Sequence, residues 1–372
     1  MRLALPILLV ALAPVARAQD ASITYRLGRD TVAVERFSRS ATRFTGEMVA
    51  RNGPAVTRTT YDLRLANGRV VEATVRRMAA DGTPLPNTPR EYRLTFGADS
   101  STRTLVFADS QPTRTFAARN AFPALPVFVY APLELLRALP AHDSVAAIPL
   151  AGNPGFIGVE AFRGDTLRLR GAPYAMSLVF NSKGQLEATN GAYTTNKAIG
   201  VRGSGSVDIA ALARTMKPTG VLSPRQVAYA SIAQAPLMVN YGSPAVRGRS
   251  VWGGALVPVD TIWRAGANEA TLFALSRRVA LEGLELPAGL YSLWIQVTAQ
   301  GTFLIVNRQT GQWGTQYNAA HDLGRVKLAE GAATGFVEDY TITIRPGTGP
   351  QGSIDFAWGD KVFTAAIRVL PQ

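Results

Sequence analysis

Between Val239 and Thr271 the chain sets Arg247, Arg249 and Arg264 beside Trp263, Asn268 and Glu269, with turn-forming Gly and Pro between them. Trp313 and Tyr317 form a second polar and aromatic group further on, just before His321 and Asp322. Flat aromatic faces beside guanidinium, amide and carboxylate groups suit a carbohydrate or a small anionic ligand. If Arg247-Gly248-Arg249 is extended, both guanidinium groups project from one face and can clamp an anion. The same residue types also suit a structural network, with Arg264 or Arg249 paired to Glu269 or Asp322 to pin loops. Charges held near a core must be paired, so both readings stand at this stage.

Catalysis has weaker carriers. Glycoside hydrolysis needs two carboxylates at a set separation, and Glu269 with Asp260 or Asp322 are the candidates. A glycan-directed hydrolase using them is therefore the alternative to non-catalytic binding. No G-x-S-x-G elbow occurs, and the only histidines are His142 and His321, each followed by an Asp in distant segments. Catalytic zinc takes three ligands rich in His or Cys, and the chain has no Cys, so no metal or cofactor is expected. A calcium site made of Asp and backbone oxygens stays open. Gly347 to Gly352 fits G-x-G-x-x-G, but a strand pattern from Ser353 to Trp358 follows it. That motif holds a dinucleotide only when it opens a helix, so a hairpin loop is expected instead.

The elements that must position these residues read as strands. Tyr61, Leu63 and Leu65 alternate with polar residues, Asn67-Gly68 signals a tight turn, and Val71, Ala73 and Val75 alternate on the return. Arg90 to Phe96 with Thr102 to Phe107, and Asp165 to Arg170 with Ala175 to Phe180, repeat the hairpin pattern. One segment breaks it. Phe122 to Leu139 is apolar without alternation, and Pro132 is placed to start a helix through Leu139. A helix across the open face of a curved antiparallel sheet accounts for that segment. Such half-barrels resemble the lipoprotein-carrier type of fold, which holds acyl chains in its concavity. The resemblance is architectural, with no motif behind it, and lipid carriage beneath Phe122 to Leu139 is a further alternative. In the other reading the helix simply fills the core of the sheet. Ile209 to Met216 reads as a short helix, and residues 217–222 as a linker.

Beyond it the strand pattern sharpens. Tyr291, Leu293, Ile295 and Val297 alternate, and Asp339 to Arg345, Ser353 to Trp358 and Lys361 to Val369 follow suit. Short strands with Gly- and Pro-rich turns predict an antiparallel β-sandwich over 223–372. SPRQ (223–226), NYGSPAVRGRSVWGGALVP (240–258), WRAGANEAT (263–271), LPAGLYSLW (286–294) and NRQTGQWGTQYNAAHDLGRV (307–326) lie here in this order. These segments resemble the bacterial domain of unknown function 2911. The resemblance implies an exported bacterial protein and carries no activity, substrate or catalytic residue. The preceding residues lie outside it.

Composition bounds the rest. Arg2, the apolar run Leu3 to Ala13 and Ala16-Arg17-Ala18 read as a cleaved secretory signal over residues 1–18. The run is too short to span a bilayer as a helix, so a protein exported to the periplasm or medium, not spanning the membrane, is expected. Export without Cys suits a core large enough to stand without disulfides. The formal charge is +13, yet the arginines are spread singly along alternating strands, and 34 Arg stand against 5 Lys. A nucleic-acid footprint forms a patch or stripe, so no nucleic acid is expected. The expectation is thus a mainly β protein. A curved, half-barrel-like antiparallel sheet with one helix spans 19–216, and a β-sandwich follows that binds a carbohydrate or small anion.

Overall fold

A computed structural model describes residues 19–51, 53–139, 143–171, 174–191 and 197–371. The residues expected to form a leader, 1–18, and His142 lie outside the described residues. Strands dominate, as the alternation predicts. The first fifteen strands form one sheet that is not closed.

The chain lays this sheet down in two passes. Eight strands meander from Gln19–Leu27 out to an edge at Thr113–Ala117. The next seven start at the opposite edge, Phe122–Ala124, and work back to Ile199–Gly203. That last strand pairs antiparallel with the first, Thr24 opposite Val201. Antiparallel meanders need only short turns, which explains the hairpin signals. The Asn67-Gly68 turn has φ of 51° and 73°, the paired left-handed conformation of a type I′ hairpin. One detail differs from the alternation: Val70, not Val71, turns inward, because the pairing shifts between Arg64 and Leu65. A bulge of this kind moves one residue to the other face.

The helix forms where Pro132 places it, as a 3-10 helix over Ala131–Ala138. Its segment packs into the core on one side of the sheet. Phe122, Leu125, Phe128, Val129, Leu133 and Leu136 are buried against Ile23, Tyr25, Leu63 and Val75. Two carboxylates pin it. Glu35, fully buried, accepts hydrogen bonds from the N–H groups of Tyr130 (3.1 Å) and Ala131 (3.0 Å). It also accepts from the hydroxyls of Tyr25 (2.5 Å) and Tyr61 (2.7 Å). Glu134 on the helix accepts from Arg39, from Arg202 (3.3 Å) and from the Leu186 N–H (2.7 Å). The α-helix Ile209–Thr215, capped by Asp208, packs on Val34, Val49 and Val56.

The C-terminal strands build several sheets. A seven-stranded sheet centred on Gly289–Thr298 faces a four-stranded sheet dominated by the hairpin Ala329–Pro346 and Gln351–Val369. One core lies between them, with Val239, Phe273, Leu293 and Leu304 from the first against Ile354, Phe356, Trp358 and Phe363 from the second. Gly347 to Pro350 is the turn of that long hairpin, so the G-x-G-x-x-G match is a loop between strands. No helix among the described residues is long and apolar enough to cross a membrane.

The large sheet meets the C-terminal region at the turn after its first strand. Gly28 has φ of +62°, and a Cβ there would lie 2.0 Å from the Arg247 carbonyl oxygen. Only glycine permits that approach, and it lets the Arg29 N–H donate to the same oxygen at 3.0 Å.

Candidate functional site

The contact at Gly28 closes one side of a cavity of about 210 Å³. Its walls include Arg247, Arg249, Trp263, Arg264 and Asn268 from the polar stretch, with Trp358 from the long hairpin and Leu27 and Lys197 from the large sheet. Among the described residues four cations line it and no carboxylate does.

Each is placed by a distinct local device. Trp263 ends a two-residue strand that pairs with Ile295, which turns its indole into the core. There it stacks on Trp358 (centroids 5.5 Å apart, planes at 15°) and meets the edges of Tyr340 and Trp252. One broad face is therefore occupied by Trp358. After Trp263 the chain turns sharply. Ala265 and Asn268 take left-handed φ of 47° and 65°. Backbone hydrogen bonds hold the loop: Ala267 N–H to Gly242 (3.1 Å), Gly314 N–H to Asn268 (2.9 Å), and Thr271 hydroxyl to Ala265 (2.7 Å).

Arg264 rides on this loop and is 7% exposed. Its side chain crosses directly over Gly314, where an added Cβ would lie 1.7 Å from Arg264 Cδ and 2.6 Å from the Asn268 carbonyl oxygen. Its Nε has no hydrogen-bond partner, and among the described residues no carboxylate pairs with it. Glu269, the acid next in sequence, pairs instead with Arg225 at 3.2 Å. Burial accordingly pulls the Arg264 guanidinium down to about 10, against a smaller opposing pull from Glu269.

Arg249 gives its Nε and Nη2 to the carbonyls of Val246 (3.0 Å) and Ala245 (2.7 Å). It too is drawn down to about 10, first by burial and then by Arg247. Lys197 is lowered to about 8 by burial and then by the charges of Arg264 and Arg249. Arg247 is paired with Asp30, while its own N–H donates to Glu338 at 2.9 Å. The Arg-Gly-Arg segment is not extended: Arg247 and Gly248 have φ of 51° and 72°. A turn, not a strand, brings both guanidinium groups to the cavity.

The other sequence candidates lie outside the cavity walls. Glu269 and Trp313 form an isolated bridge between their backbones, and the Trp313 ring is 39% exposed. Tyr317 packs on Trp294 and donates to Asp322, whose other oxygen accepts from Asn307 Nδ2 (2.7 Å). Asp260 sits in a left-handed turn. The three proposed carboxylates thus do not share a wall of this cavity. No cluster of three His, Cys, Asp or Glu among the described residues could hold a metal ion. Lys197, Leu27 and Trp358 had no sequence signal, since Leu27 and Trp358 reach the cavity from distant strands and Lys197 from the loop before Ile199–Gly203.

Gly314 offers a direct test of how tightly Arg264 is held. Gly314→Ala forces a Cβ into the guanidinium stem, and such overpacking costs about 1–3 kcal/mol. A lowered urea midpoint is the expected result. An unchanged midpoint would show that Arg264 moves aside freely.

Neither the curated proteins nor the solved structures gave a match to this chain. Residues 223–367, which supply most of the cavity wall, match the model of the family described as protein of unknown function (DUF2911), so the C-terminal part of the chain carries that domain.

Proposed function

We propose that this is an exported bacterial envelope protein that binds a small anionic ligand, without catalysis, in the cavity beside Arg264. One observation carries the reading: Arg264 is almost wholly buried, its Nε has no partner, and the nearest acid is committed to Arg225. A buried cation without a counter-charge is costly, and a bound carboxylate or phosphate group supplies what the fold withholds. Arg249 and Lys197 on the same walls add to the positive field and leave the pocket selective for anions. An acidic sugar fits by its charged group. Stacking on Trp263 contributes little, because Trp358 covers that face. Export rests on the leader pattern over Arg2 to Ala18.

Native mass spectrometry of gently purified mature protein tests the reading, followed by titration with inorganic phosphate, succinate, glucuronate and glucose. Adduct mass in the native spectrum, or a melting temperature raised by one of the anions but not by glucose, is the expected result. Binding should weaken as pH rises through about 8, where Lys197 loses its charge. Bare protein that no anion stabilises would overturn the proposal.

A further inference from the structure

A second cavity, about 470 Å³, lies in the large sheet, in a gap between two of its hairpin turns and the margin strand Phe122–Ala124. On the core-facing side of the sheet, Phe128, Tyr130, Tyr174 and their neighbours are buried together. On one side of the gap stand the hairpin turn at Asn67-Gly68 and the turn beginning at Phe96; on the other stand Ala121, Phe122 and Val145. Leu135, Leu136 and Leu139 form the floor. Further along, Arg103 reaches from the strand Ser100–Val106 to the carbonyls of Pro149 (2.7 Å) and Gly152 (3.0 Å). That side chain ties the two ends of the sheet together, so the gap has a set width.

The lining is apolar except at the rim. There Arg69 donates to Asn120, and no carboxylate lines the cavity or pairs with Arg69 among the described residues. An apolar chamber under a single cation matches a molecule with one apolar tail and one negative head. We infer that this cavity binds a long-chain carboxylate, its alkyl chain on Leu135, Leu136 and Phe96 and its carboxylate on Arg69. This site is separate from the cavity beside Arg264 and shares no residue with it.

Delipidated mature protein is titrated with the fluorescent fatty acid cis-parinarate and, in parallel, with its methyl ester. The acid should bind with saturable fluorescence enhancement. The ester should bind roughly tenfold or more weakly, the loss of one charge-assisted hydrogen bond. Arg69→Glu should weaken the acid by a similar factor and leave the ester unchanged. Ala98→Trp, at the exposed rim, should block both, and Val71→Trp serves as a second block should that variant fold poorly. Arg264→Met should leave uptake intact. No saturable uptake by the parent, or acid binding indifferent to Arg69→Glu and to both blocking variants, would overturn the inference.

Discussion

Arg264→Met is expected to raise the melting temperature of the ligand-free protein and to abolish anion binding. The two effects have one origin. The Arg264 guanidinium is taken out of water by the loop that turns at Ala265 and Asn268, and its Nε receives no bond in return. Replacing a buried charge by an apolar side chain of similar volume is often stabilising, by about 1–4 kcal/mol. Methionine keeps the unbranched stem that passes over Gly314, so the packing there survives. Scanning calorimetry with and without phosphate reads both effects. The parent should melt lower alone and rise with phosphate; the variant should start higher and not respond. A lower melting point for the variant would instead assign Arg264 to the structural network that its sequence neighbours suggested.

Glu35→Ala is expected to be among the most destabilising single changes in the large sheet. It strips the acceptor from four donors at once: two tyrosine hydroxyls and the first two N–H groups of the helical segment. Each buried donor left without a partner costs about 1–3 kcal/mol, so a loss of several kcal/mol follows. Glu35→Gln keeps the shape and an acceptor oxygen for the two N–H groups, and should cost far less.

The pH dependence separates charge from shape. Burial pushes the Glu35 carboxyl up to about 7, outweighing the four hydrogen bonds that favour its ionised form. Between its ordinary value of 4.5 and about 7, the folded protein therefore holds a proton that the unfolded chain has released. Stability contributed by this group is full at low pH and falls as pH rises through that window, by roughly 3 kcal/mol at most. Urea midpoints of the parent should drop more between pH 5 and pH 8 than those of Glu35→Gln. Parallel profiles would mean that Glu35 stays ionised throughout.

Much of this architecture was legible from local pattern. Asn67-Gly68 marked a hairpin because only residues that tolerate positive φ can close such a turn. Pro132 marked the start of the helical segment because its ring presets φ and its missing N–H costs nothing there. The polar stretch from Val239 to Thr271 was legible too, since alternating aromatic, Arg and Gly residues are unusual for a plain strand. Five of its proposed binding residues do meet at one cavity: Arg247, Arg249, Trp263, Arg264 and Asn268. Their roles were not legible. Trp263 offered a stacking face on paper, and Trp358, far along the chain, covers it. Glu269 stood ready to neutralise Arg264, and Arg225 took it instead.

By itself, then, the sequence determined many of the strands and turns, most of their buried faces and the supply of cations. Side-chain alternation and backbone φ preference act over only a few residues, so these features need no knowledge of the rest. Tertiary structure alone decided which strands lie side by side, and with them which cation meets an acid. Pairing Ile199–Gly203 with Gln19–Leu27 sets the large sheet, and the turn at Gly28 then seats it on Arg247 and completes the wall with Lys197. Charge balance in a buried site is a property of neighbours in space, and long-range register chooses those neighbours.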